Sequence, residues 1–276
     1  MSAVVLATVC AVVYGTADFF GGLATRRSRV LAVVVLAQTA GLALVTALLP
    51  FLPGALTIRG LAWGVAAGLS GTVGLVLFYR ALATGVMSVV APITATTSAA
   101  LPVVFGLATG DRPEPMALGG VALALAAILL ISRDSSPAAA GRGPVLAALA
   151  AGAGFGGFFV LLSQAPDDSG MWPLFGARLV SITVIALLAL GTRRTLRPGP
   201  GALHIIVAAG SLDMVANVLF MLAQQRGMLS LVAVVVSLYP ASTLLLARQV
   251  LGERLNTVQL VGIGCTLAAV ALIAAS

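Results

Sequence analysis

The chain has 276 residues, of which 60% are hydrophobic and only 8% charged, whereas a soluble domain carries about a quarter charged residues. A soluble protein of this mass keeps most of its shell wet, so the composition excludes a soluble globular domain and points to a chain solvated by hydrocarbon. The formal net charge of +7 comes from fifteen arginines and no lysine, scattered through short connections, which excludes a nucleic-acid-binding face.

A spanning helix needs about 20 apolar residues, bounded by charge or Gly/Pro punctuation. That rule predicts helices near 3–24, 30–50, 60–82, 86–108 and 115–132, then near 145–163, 172–191, 203–225, 228–250 and 256–275. The breaks fall at Arg26-Arg27-Ser28-Arg29, Pro50 to Arg59, Arg80 to Gly85, Gly110-Asp111-Arg112-Pro113 and Arg133 to Gly143. They continue at Pro166-Asp167-Asp168, Arg193 to Pro200, Arg226-Gly227 and Gly252-Glu253-Arg254. The first segment has no basic leader, so it reads as a retained helix and not as a signal peptide.

Residues 77–132 laid without a gap over 219–274 align Leu77 with Leu219, Phe78 with Phe220, Gly85 with Gly227 and Ser88 with Ser230. The same offset aligns Gly110 with Gly252, Arg112 with Arg254 and Gly120 with Gly262. Leu and Ala matches mean little in apolar helices, but Gly, Ser and Arg at helix ends mark equivalent turns. The expected fold is therefore all-α integral membrane: ten transmembrane helices as two inverted five-helix repeats, residues 1–135 and 143–276. Five is odd, so the second repeat must enter the membrane from the opposite side, a construction common in secondary transporters.

Eleven arginines lie in the connections after the first, third, fifth, seventh and ninth helices, against Arg59, Arg112 and Arg226 on the other face. The positive-inside rule then places the first set in the cytoplasm and both termini outside a cell inner membrane.

Gly110-Asp111-Arg112 followed by Gly119-Gly120, and Gly252-Glu253-Arg254 followed by Gly262, form a pattern that resembles the EamA-type transporters of the drug/metabolite transporter superfamily. Phe78-Tyr79-Arg80-Ala81-Leu82 and Tyr14-Gly15 are similar to that family too. The resemblance spans nearly the whole chain. It implies ten transmembrane helices, alternating access and movement of small metabolites such as amino acids, drugs or sugars. The chain departs from the family pattern in having Asp111 where glutamate is usual. Members are also commonly drawn with cytoplasmic termini, against the arginine count here.

Ionisable groups within hydrocarbon are costly, so each is a candidate site. Asp213, near the centre of helix eight, shares a helix face with Asn217 and Gln224. A carboxyl there suits proton coupling or binding of an amine; the plainer reading is an interhelical strut. Arg178, two turns into helix seven, could hold a substrate carboxylate or phosphate, pair with Asp213, or snorkel towards Asp167-Asp168. Asp18 on helix one is a further candidate, within reach of Arg26-Arg27, and Gln38 on helix two another. Helix four carries Thr94, Thr96, Thr97 and Ser98 between Pro92 and Pro102, and helix nine carries Ser237, Tyr239, Pro240, Ser242 and Thr243 at the aligned level. Thr97 and Tyr239 are the candidates there. Such stretches read as kinks whose hydroxyls re-satisfy the backbone, as cavity walls with a hinge, or as both.

Glycine pairs Gly64/Gly68, Gly71/Gly74 and Gly152/Gly156 read as packing faces. Asp111-Arg112 and Glu253-Arg254 read as locks of the helix turns. His204 is the only histidine, Cys10 and Cys265 lie in apolar segments, and no phosphate-binding or Gly-x-Ser-x-Gly motif is present. No enzyme, cofactor, metal or disulfide framework is expected. The function expected is secondary transport, as an exporter of small organic metabolites with protons as one possible partner. An uncoupled facilitator and a flippase of a lipid-linked intermediate are the alternatives.

Overall fold

The computed structural model describes residues 3–25, 27–84, 87–131, 142–192, 196–251 and 257–275. Gly85, the connection after Ile131, Arg193 and Arg194, and the Gly252-Glu253-Arg254 turn lie outside the described residues. Among the described residues there is no strand. The helices are α1 (Ala3–Thr25), α2 (Val30–Leu48), α3 (Ile58–Thr84), α4 (Met87–Thr109), α5 (Pro115–Ile131) and α6 (Arg142–Ser163). They continue as α7 (Trp172–Gly191), α8 (Leu203–Gln224), α9 (Leu229–Val236), α10 (Tyr239–Leu251) and α11 (Thr257–Ala274). Among the described residues, seven helical stretches are long and apolar enough to cross a bilayer, with Leu229–Val250 counted as one. Three further apolar stretches, Ile93–Thr109, Pro115–Leu130 and Thr257–Ile273, are shorter.

Hydrocarbon offers a backbone no partners, so helices satisfy their own. Polar side chains follow suit: the hydroxyls of Thr8, Thr16, Thr39 and Thr183 each donate to the carbonyl four residues back. The expected helix near 228–250, read as kinked at its proline, is interrupted between α9 and α10 at Ser237-Leu238. Pro240 supplies no N–H and its ring crowds the carbonyl of Val236, so the regular ladder stops there. Ser237 Oγ takes up the carbonyl of Ala233 at 2.7 Å.

Packing runs between the two halves of the chain. α1 lies on α8, α9 and α10, α3 on α6 and α7, α4 on α6 and α9, α2 on α7 and α8, and α5 on α11. Small residues allow these approaches in a solvent that drives no hydrophobic association. A Cβ on Gly68 would stand 2.5 Å from the carbonyl oxygen of Ala177, and one on Gly210 would stand 2.0 Å from that of Ala37. Thr72 Oγ1, one turn after Gly68, donates to Ser181 Oγ at 3.0 Å and ties α3 to α7.

Chain ends and turns gather in sets. Gly199 N donates to Ser28 Oγ at 2.8 Å, joining the α7–α8 connection to the α1–α2 turn. Ala55 N donates to Asp168 O at 2.7 Å, joining the α2–α3 and α6–α7 connections. Ala3 of α1, Arg112 and Glu114 of the α4–α5 connection, Met228 before α9 and Ile273 of α11 line one recess of about 370 Å³. The start of the first helix and the end of the last therefore share one end of the bundle.

Asp111 does more than lock its own turn. Its Oδ2 accepts from Ser230 N at 3.0 Å and from Ser230 Oγ at 2.7 Å, so a carboxylate of the first half caps the N-terminus of α9 in the second. Asp111→Ala is expected to lower stability by about 1–2 kcal/mol, and Asp111→Asn by less. Thermal unfolding in detergent would show it; equal midpoints for wild type and Asp111→Ala would mean that this cap carries no stability.

Candidate functional site

Three helices meet at mid-bundle around Arg178. The α2–α7 crossing brings Gln38 beside it, and the α2–α8 approach at Ala37 and Gly210 brings up Asp213, one turn further along α8. Arg178 Nη1 donates to Gln38 Oε1, and Nη2 donates to Asp213 Oδ2 in an ion pair. The expected alternative of snorkelling towards Asp167-Asp168 is corrected. Arg178 is 8% exposed and its charge is met inside the bundle, which is what a guanidinium requires once it leaves water.

Asn217 completes the group from the next turn of α8. Its Nδ2 donates to Asp213 O at 2.8 Å and faces Asp213 Oδ2 at 3.4 Å. Both neighbours are acceptors, so the amide orientation is fixed by chemistry: Oδ1 must point away. That Oδ1 is buried and has no partner among the described residues. Asp213 itself keeps 38% of its side chain accessible, so one side of the pair opens onto space. Gln224 Oε1, two turns on, and Thr96 Oγ1 on α4 are also buried without a partner among the described residues.

Asp18 faces the same space. Cys10 Sγ donates to Ala216 O at 3.0 Å, while Ala24 packs with Ala202, Ile205 and Ile206, so α1 and α8 run antiparallel. Asp18 falls between these levels, about one turn from that of Asp213, and close enough to interact with it electrostatically. It is exposed, yet it shares the helix face of Tyr14 and lies opposite the outward face of Val5, Val9 and Val12. Its exposure is therefore to the inside of the bundle. Among the described residues none hydrogen-bonds or ion-pairs with it, Arg27 of the α1–α2 turn included; Arg26, the other half of the expected reach, lies outside the described residues.

Aromatic rings wall this space. Tyr14 and Tyr239 have ring centroids 6.3 Å apart, and Tyr14 stands edge-on to Phe159 at 6.4 Å. Phe159 in turn meets Phe158 at 5.4 Å and Phe220 at 4.6 Å. Tyr239 sits directly after the α9–α10 break, with its carbonyl against Gly15 of α1. Irregular backbone at membrane depth is tolerated where it is buried in protein or lines a cavity, and here it falls beside the aromatic wall.

Of the residues singled out from sequence, the structure brings Gln38, Arg178, Asp213 and Asn217 into one bonded group, with Asp18 and Tyr239 beside it. Thr97 stands apart: its hydroxyl donates to Ile93 O at 2.7 Å, and its Cβ side packs on Gly152 of α6. Phe159 was not singled out, and Tyr14 only as part of a motif, although its place four residues before Asp18 put it on the same face.

Residues 142–275 match the family model described as the EamA-like transporter family. No curated protein matches the chain in sequence. Twenty-nine chains of solved structures are similar to it. One, a crystal structure, superposes with a TM-score of 0.76 at 18% identity, over 98% of this chain and 96% of that one, a likeness of fold.

Proposed function

We propose, from the match of residues 142–275 to the EamA-like transporter family, part of the drug/metabolite transporter superfamily, that the whole protein is a secondary transporter working by alternating access. The proposed architecture is ten spans in two inverted repeats, residues 1–135 and 143–276, in the cell inner membrane. The packing pattern supports it. Exchanging α1–α5 with α6–α11 turns α3·α6 into α8·α1, α3·α7 into α8·α2 and α4·α6 into the α9–α10 pair on α1, all of which occur. Helices that meet their own counterparts must cross antiparallel if the repeats are inverted. Val34 and Val35 of α2 pack with Ile185 of α7 while Gln38 meets Arg178, and Gly120 early in α5 meets Ala269 and Ile273 late in α11. Both crossings are antiparallel. The close approaches also correspond: Gly68 on Ala177, and Gly210 on Ala37.

The observation that carries the function is the half-open Arg178–Asp213 pair at the meeting of α2, α7 and α8. A charged pair is expensive there, and hydrocarbon-depth ionisable groups mark solute or proton pathways. The solute is a small organic metabolite, amino-acid-like or drug-like, held between the halves at this level. Asp213 and Asp18 are the carboxyls we assign to proton coupling. Export, the direction expected from sequence, then follows where an inward-moving proton and an outward-moving solute occupy these carboxyls in turn.

Reconstitution in proteoliposomes tests this. A solute found by thermal-shift screening should exchange across the membrane and accumulate against its gradient when a pH gradient is imposed. Full pH-driven flux through Asp213→Asn would sink the coupling role of Asp213, and flux that ignores the pH gradient would leave a facilitator.

A further inference from the structure

Resting on the transport reading above, the balance of donors and acceptors in the mid-bundle space says which solutes fit. Arg178 is buried, and two of its nitrogens are already committed, to Gln38 and to Asp213. Three N–H donors remain, but they are buried and the charge is already met by Asp213, so they offer an incoming anion little. The groups that remain open are acceptors. Asp18 has a carboxylate with no partner among the described residues. Asp213 is more than a third accessible and meets Arg178 through Oδ2, and Asn217, 2% exposed, has an orphaned Oδ1 on the side away from Asp213. Arg178 and Asp213 cancel each other's charge, so Asp18 in its ionised form leaves the group with one net negative charge.

An unpartnered carboxylate inside the bundle and an orphaned amide oxygen together call for a ligand that brings hydrogen-bond donors and a positive charge. Tyr14, Tyr239 and Phe159 provide ring faces and edges that suit both an apolar body and a cation. An anionic solute would have to compete with Asp213 for the charge of Arg178 and approach the Asp18 carboxylate. We infer that the site takes organic cations: an ammonium group on an aromatic or apolar body, with Asp18 as its counter-charge and the Tyr14–Tyr239 pair as its wall.

Four isosteric probes separate the charge classes: phenethylamine (cation), phenylalanine (zwitterion), 3-phenylpropionate (anion) and 2-phenylethanol (neutral). Their binding to the full chain in nanodiscs is measured by calorimetry. Phenethylamine should bind best, and Asp18→Asn should weaken it by about tenfold or more, as loss of a charged hydrogen bond does. Because Asp18 holds no other residue in place, the variant should keep the wild-type unfolding midpoint. Tyr14→Leu provides a second handle and should weaken the amine more than the alcohol. The inference is overturned by no amine binding, by unchanged amine affinity in Asp18→Asn, or by the zwitterion or anion outranking the amine. Flux separates it from the reading it rests on. Amine binding without transport removes the transporter and keeps the ligand class, whereas transport of an anion does the reverse.

Discussion

Asp213→Asn is expected to be the most damaging single substitution in the site. It leaves the Arg178 guanidinium at mid-bundle with no counter-charge, and removing one member of a buried pair costs about 3–5 kcal/mol. Asp213 is partly accessible here, so solvent relieves some of that, and a loss of about 2–3 kcal/mol is the expected size. Arg178→Gln should cost a similar amount by stranding the carboxylate. The double substitution should be milder than the sum, because a neutral amide at each place can still hydrogen-bond. A double-mutant cycle on unfolding midpoints reads this directly. Additive losses would mean that the two side chains do not depend on each other, and the site as described would fail.

Gly210→Ala should be nearly as severe although it adds a single methyl group. The added carbon would lie 2.0 Å from the carbonyl oxygen of Ala37, and a backbone atom in a packed helix cannot step aside as a flexible side chain can. α2 and α8 must separate, and with them Gln38 and Asp213, both held by Arg178. Overpacking of this kind costs about 3 kcal/mol at the upper end of its usual range, and transport should be lost even where protein survives. Gly264→Ala is the control, since nothing lies within 4 Å of its added carbon. Wild-type midpoint and flux in Gly210→Ala would contradict the close crossing.

Much of this could be read from the residues because apolar runs of spanning length are hard to mistake. Arginine, glycine and proline mark their ends, and α1, α2, α6, α7 and α8 begin and end within a few residues of the expected bounds. Asp213 and Asn217 were visible as a pair through their spacing of four. Gln38 was visible only as a polar residue in an apolar helix, because its partner is 140 residues away. The Asp111–Ser230 link was hidden for the same reason: a local turn motif gives no hint that its carboxylate serves the other half. Pro240 announced a kink in the ninth span. Whether a proline bends a helix or stops it depends on what can satisfy the freed backbone groups, which only the packing reveals.

The crossing of α2 and α7 carries a last consequence. Under the proposed exchange of halves, the matching approaches of Gly68 to Ala177 and Gly210 to Ala37 make positions 38 and 178 counterparts, and they touch each other. Glutamine meets arginine there, one accepting and one donating. Were the second half to assemble with a copy of itself, guanidinium would meet guanidinium at that point, desolvated and without relief. On the proposed two-repeat architecture, the divergence of these two residues would act as a mating code, favouring the unlike partner to which each half is tethered.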